Sequence, residues 1–89
     1  MVEKELEIVN RLGLHARAAA KLVHTAGRFG CEVTILKDDD EVDAKSILGL
    51  LQLGAAQGSQ VVVRCDGEDE ETALHSVEEL ISGRFGEDT

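Results

Sequence analysis

The stretch that decides the fold is Val2-Glu3-Lys4-Glu5-Leu6-Glu7-Ile8-Val9, followed by Asn10-Arg11-Leu12-Gly13-Leu14-His15 and then by Ala16 to Arg28. Val2, Leu6 and Ile8 alternate with Glu3, Glu5 and Glu7. That is the period of a strand with one wet and one buried face, and it predicts a strand over Val2–Val9. Asn10 to Leu14 carries a glycine between apolar residues and breaks the alternation. From Ala16 to Ala26 the spacing becomes helical, placing Ala19, Leu22, Val23 and Ala26 on one face, with Gly27 as the stop.

Working outward, Cys31 to Lys37 alternates again, with Val33 and Ile35 inward and Glu32 and Thr34 outward, and predicts a second strand. The acidic turn Asp38–Asp40 leads to a short third strand around Val42. Ser46 is placed to cap a short apolar helix holding Ile47, Leu48, Leu50 and Leu51 and closed by Gly54. The run Val61-Val62-Val63 reads as a strand in a central position. After the Asp66-Gly67 turn, Asp69 can cap a last helix with Glu70 and Glu71 in its first turn and Ala73, Leu74, Val77, Leu80 and Ile81 as its stripe. Ser82 to Thr89 is expected to fray. The order predicts an α+β open-faced sandwich: a four-stranded, mostly antiparallel sheet with three helices on one face, formed by residues 1–89 as one domain.

The totals narrow the function. With 43% hydrophobic and 30% charged residues the composition is that of a globular chain, and 89 residues leave no room for a large cofactor cleft. Phe29 and Phe85 are the only aromatics, so stacking platforms for bases cannot be built. A formal charge of -9 opposes nonspecific binding to nucleic acid or to an anionic membrane. Glu3, Glu5 and Glu7 interrupt any N-terminal apolar run, and no window is long enough to span a bilayer, so a cytoplasmic protein is expected. Cys31 and Cys65 lack CxxC spacing and read as small buried apolar side chains.

Charge is segregated along the chain. Asp and Glu supply 18 of the 89 residues, yet none lies between Ile8 and Cys31, where Arg11, Arg17, Lys21 and Arg28 stand. On the predicted helix Arg17, Lys21, His24 and Arg28 form a basic ridge opposite the apolar stripe. His15 lies just before the first turn, beside the amides of Ala16, Arg17 and Ala18, which have no intrahelical acceptor. This is an anion site, and a phosphoryl group on the imidazole would face the positive end of the helix dipole with Arg17 as a charged partner. The dipole and the cations also disfavour imidazolium, which keeps a ring nitrogen free to attack phosphorus. A histidine in this position is more often a structural cap, so position alone does not decide.

Asn10-Arg11-Leu12-Gly13-Leu14-His15-Ala16-Arg17 with the alanine-rich helix after it resembles the active-site signature of HPr, the histidine phosphocarrier family of the phosphoenolpyruvate-dependent phosphotransferase system. Lys45-Ser46-Ile47-Leu48-Gly49-Leu50-Leu51 resembles that family's second signature, and the spacing to Gln57-Gly58 also matches. The resemblance implies that His15 is phosphorylated on Nδ1 by enzyme I, that Arg17 helps hold the group, and that it passes to an enzyme IIA-type protein. It implies a phosphocarrier rather than a free-standing enzyme, with no cofactor and no metal of its own, and a monomer is expected. One departure stands inside the motif. The family usually has Pro after the arginine, where this chain has Ala18, which restores an amide donor and relaxes the preorganised first turn.

In many HPr proteins the serine matching Ser46 is phosphorylated by an HPr kinase, which would add about two negative charges at a helix start. Ile47, Leu48 and Leu51 are core by default, but the resemblance implies that part of this set stays exposed as the apolar centre of a docking surface flanked by Lys21, His24 and Arg28. The tail Gly83–Asp88 with Phe85 resembles the ending of the nitrogen-related branch, NPr, whereas the Lys-Ser-Ile context of Ser46 resembles the regulated sugar branch. His75 reads as a surface residue, and the acidic runs Asp38–Glu41 and Glu68–Glu71 lack the alternating ligands of a calcium loop. The alternative to phosphoryl relay is an HPr-like regulatory module that binds a transcription factor or metabolic enzyme under control of Ser46 phosphorylation.

Overall fold

A computed structural model describes residues 1–89 and places β1 at Val2–Glu7, α1 at Ala16–Gly27, β2 at Glu32–Lys37, β3 at Asp40–Asp43, α2 at Ile47–Leu53, β4 at Gln60–Asp66 and α3 at Glu70–Ser82. The strands form one sheet in the order β1-β4-β2-β3, and all three neighbouring pairs are antiparallel. The Val61–Val63 strand is therefore central, as its apolarity implied. Leu6 faces Val61, Val33 faces Cys65 and Ile35 faces Val63, so the buried residues of three strands share one face of the sheet. α3 covers β1 and β4, α2 packs on β3, and α1 lies against both helices, which closes one core over that face.

The register also turns Lys4 inward opposite Val63. Instead of burying its ammonium, Lys4 reaches the carboxylate of Glu78 on α3 at 2.5 Å. An inward-pointing lysine on an edge strand discourages pairing with another chain.

The first strand ends at Glu7, short of the expected Val9, and three further expectations are corrected. The second strand begins at Glu32, not Cys31, because the Cys31 amide donates to the Asp69 carboxylate (3.0 Å) and not to the sheet. Asp69 does stand at the start of α3, yet its side chain makes no cap bond there. Its two oxygens take the amides of Gly30 and Cys31, which hold its carboxyl below its ordinary range, while Glu70 accepts from Gly67. The third correction concerns the tail, which is folded and not frayed. After α3, Arg84–Gly86 forms a short 3-10 turn that buries Phe85 completely.

Cys31 and Cys65 are free and buried. Burial first, and the neighbouring Cys31 thiol next, push Cys65 up to about 11. Since the thiolate is the reactive form, iodoacetamide near pH 8 should leave the folded chain unmodified and alkylate both thiols once urea unfolds it. Rapid labelling of the native chain would contradict this placement.

Candidate functional site

The loop 10–15 is shaped before any side chain acts. Leu14 donates its amide to the carbonyl of Ala55 (2.8 Å), Gly13 donates to Asn10, and His15 donates to Gly13. Gly13 sits at φ +65, and a Cβ there would lie 2.6 Å from the Ala55 carbonyl oxygen. Only glycine lets the loop approach the end of α2 so closely.

This loop delivers His15 as the N-cap residue of α1. Its Nδ1 accepts the backbone N–H of Arg17 at 3.3 Å, so the ring lies against the opening of the helix where orphan amides and the positive dipole end converge. The imidazole is partly exposed, at 24% of its side-chain surface. Ala16 and Arg17 are exposed in the first turn, and the Arg17 guanidinium has no carboxylate within ion-pair reach. Ala18 follows with its methyl wholly in the core.

The sequence reading missed the second partner of the ring. His15 Nε2 lies 2.5 Å from Oε2 of Glu87, although 72 residues separate them in the chain. The other oxygen of Glu87 accepts from Asn10 Nδ2 (3.0 Å), and the same Asn10 nitrogen donates to the Gly13 carbonyl (2.8 Å). Asn10 is fully buried, and its Oδ1 has no partner. The acid-free stretch seen in the sequence is thus supplied with a carboxylate from the far end of the chain. That carboxylate meets the ring on the edge away from the helix opening.

The tail that carries Glu87 is pinned at several points. Lys21 Nζ donates to the Phe85 carbonyl (2.6 Å), and the Arg11 amide donates to the Thr89 carbonyl (3.0 Å). Arg84 and Phe85 both adopt positive φ, 58 and 54. Such backbone costs about 1–2 kcal/mol per non-glycine residue and persists where packing compensates, here the burial of Phe85.

The Asn10 amide first, and the His15 ring next, hold the Glu87 carboxyl below its ordinary 4.5. A carboxyl lowered in the folded state stabilises fully above that ordinary value and loses its contribution as pH falls through the lower native one. On acidification the Glu87 carboxyl carbon should therefore titrate with a midpoint below 4.5 in NMR, and the Arg11 amide should lose exchange protection over the same range. A midpoint at or above the ordinary value would mean that the contacts do not hold in solution.

The other predicted residues are placed as follows. His24 is exposed on α1 and Arg28 is exposed as its C-cap residue, with the Arg28 guanidinium 5.8 Å over the Phe29 ring, whereas Lys21 of the same ridge is occupied by the tail. Ser46 caps α2, its Oγ accepting from Gly49 N at 3.2 Å. Ile47, Leu48 and Leu51 stay exposed at 41%, 68% and 39%, and Leu12, which the sequence reading did not single out, is exposed at 65%. Lys45 of the second motif is structural, donating to the Phe29 and Cys31 carbonyls. His75 pairs with Glu79 one turn on.

No three His, Cys, Asp or Glu side chains come together as metal ligands, and no helix is long and apolar enough to cross a membrane. The largest concavity, about 440 Å³, runs along β2 and β3 and includes neither His15 nor Arg17. His15 lies instead on an open surface, with its ring partly exposed and the exposed Leu12 three residues before it.

The chain resembles known proteins along nearly its whole length. The family described as the PTS HPr component phosphorylation site matches residues 2–83. The phosphocarrier protein HPr of Xylella fastidiosa strain Temecula1 is 52% identical over 89 residues, with both chains covered completely. The crystal structure of HPr from Thermoanaerobacter tengcongensis superposes with a TM-score of 0.96 at 44% identity, again over the whole of both chains. A structure from the same organism described as an HPr dimer matches with a TM-score of 0.79 at 45% identity, covering 98% of this chain and 100% of that one.

Proposed function

This chain belongs to the HPr family, the phosphocarriers of the phosphotransferase system, and from that premise we propose that it takes a phosphoryl group from phospho-enzyme I onto His15 and passes it to an enzyme IIA-type protein. The observation that carries the reading is the ring nitrogen Nδ1 held against the Arg17 amide at the opening of α1. A phosphoryl dianion on Nδ1 would take over that N–H bond, face the helix dipole and meet the unpaired Arg17 guanidinium. The neighbouring amides of Ala16 and Ala18 complete the cradle in this reading. Ile47, Leu48 and Leu51, extended by Leu12, form the apolar centre of the docking surface, with His24 and Arg28 on its basic side and Lys21 beside the tail.

Residues 1–89 work as one cytoplasmic, monomeric domain in this proposal, and sedimentation of the purified chain tests the last point. Incubation with enzyme I and labelled phosphoenolpyruvate should yield an acid-labile, base-stable phosphoryl group that His15→Ala abolishes. Label retained by His15→Ala, or none in the parent chain, would defeat the reading.

The second reading, regulation through Ser46, is favoured by one observation: the half-exposed Ser46 hydroxyl adjoins the exposed Ile47 and Leu48. A phosphate there would place about two charges at the edge of the apolar patch and weaken docking. An HPr kinase that modifies the chain, but not Ser46→Ala, and thereby slows transfer from enzyme I would support it. Modification of Ser46 without any turnover at His15 would instead favour a purely regulatory module.

A further inference from the structure

The partners of the two ring nitrogens select a single tautomer of His15. The Arg17 amide can only donate, so Nδ1 must present its lone pair. An ionised carboxylate can only accept, so Nε2, 2.5 Å from Glu87 Oε2, must carry the hydrogen. Glu87 is itself aimed by the buried Asn10, whose Nδ2 grips its other oxygen, and by the Phe85 and Thr89 carbonyls that tie the tail down.

We propose that Glu87 is a positioning residue for phosphoryl transfer, holding His15 as its Nε2–H tautomer with Nδ1 free and balancing the positive charge of the phosphorylated ring. This rests on the reading of His15 as acceptor. As Nδ1 attacks, a bond to phosphorus forms while the phosphorus–donor bond breaks and leaves its electron pair on the donor. The ring becomes an Nδ1-phosphoimidazolium that keeps its Nε2 proton, so no base need remove a proton during transfer. The new charge on the ring faces the Glu87 carboxylate, on the edge away from the phosphoryl group. Handing the group on reverses these changes and restores the same tautomer.

Glutamine cannot replace Glu87 fully. Its side chain has one acceptor oxygen for two donors, Asn10 Nδ2 and His15 Nε2, so Glu87→Gln keeps the shape but loses either the ring contact or the Asn10 contact, and the charge with them. Asp88 is exposed and carries the same charge one residue away, which makes Asp88→Asn the control for charge alone.

The test uses the full chain, nitrogen-15 spectra of the ring and the rate of phosphoryl uptake from phospho-enzyme I. In the parent chain at neutral pH the His15 nitrogens should separate into a protonated Nε2 and an unprotonated Nδ1, the signals being assigned by their loss in His15→Ala. Glu87→Ala should average the two tautomers and slow uptake about tenfold or more, by analogy with the loss when a carboxylate that orients a metal-bound histidine is removed. Glu87→Gln should fall between, and Asp88→Asn should stay within about twofold of the parent. If Glu87→Ala leaves both tautomer and rate unchanged while His15→Ala takes no label, the role of Glu87 is overturned and the acceptor reading stands. Equal slowing by Asp88→Asn would likewise overturn it, in favour of a general effect of tail charge. Label on His15→Ala would bring down the acceptor reading itself.

Discussion

Phe85→Ala is expected to lower the urea midpoint of unfolding by about 3 M or more, taking a loss of about 3–5 kcal/mol for truncating a fully buried phenylalanine and an m-value near 1 kcal/mol per molar for a chain of this size. Phe85 is the largest fully buried side chain and belongs to the core beneath α1 and α3. Its backbone at φ 54 is unfavourable for any residue but glycine. Alanine at this position would keep the strain and lose the packing that compensates for it. The tail would then leave α1, and the Lys21 bond to the Phe85 carbonyl and the Glu87 contact with His15 would go with it. The expected signature is therefore double: a lower midpoint, and exchange of the Arg11 amide at an unprotected rate even where the sheet remains folded. A midpoint shift under about 1 M would show that the tail adds little to the core.

Gly13→Ala is expected to damage the site through the backbone. The residue sits at φ +65, and the added Cβ would meet the Ala55 oxygen at 2.6 Å and the Ala56 Cα at 2.9 Å. Both are backbone atoms, so relief requires the loop 10–15 to lift from the end of α2 and break the Leu14 to Ala55 hydrogen bond. Gly58→Ala is an internal control, since Gly58 also has positive φ, +90, but its Cβ would meet nothing within 4 Å. Gly58→Ala should cost about 1 kcal/mol from left-handed strain alone, and Gly13→Ala about 2 kcal/mol more. Thermal or urea unfolding of the pair checks the difference. Because His15 follows two residues later, Gly13→Ala should also slow phosphoryl uptake in the folded protein, and Gly58→Ala should not. Equal stability of the two variants would mean that the close approach at Gly13 is not maintained.

Most of the architecture was readable because its signals are local. Alternation at Leu6 and Ile8, the helical stripe of Leu22 and Ala26, and the caps at His15 and Ser46 are short-range facts that each element expresses by itself. The unbroken apolarity of Val61–Val63 identified the strand that has neighbours on both sides. The placement of His15 and Arg17 at the opening of α1 was readable too, since their motif lies within one loop and one helical turn. Errors arose where a local rule met a distant partner. Asp69 occupies a cap position, but the amides of Gly30 and Cys31 claim its carboxylate.

The amino-acid order alone thus determined the strands, the helices and the ring that faces the helix opening, because hydrophobic period and backbone capping act over a few residues. Only the tertiary structure decided what faces the other side of that ring. Ser82–Thr89 has no periodicity and reads from the sequence as a fraying end. The burial of Phe85 in a core assembled from the rest of the chain bends it back and brings Glu87 to His15 across 72 positions. A contact of that range leaves no trace in spacing, since it depends on how the packed helices place the two ends of the chain.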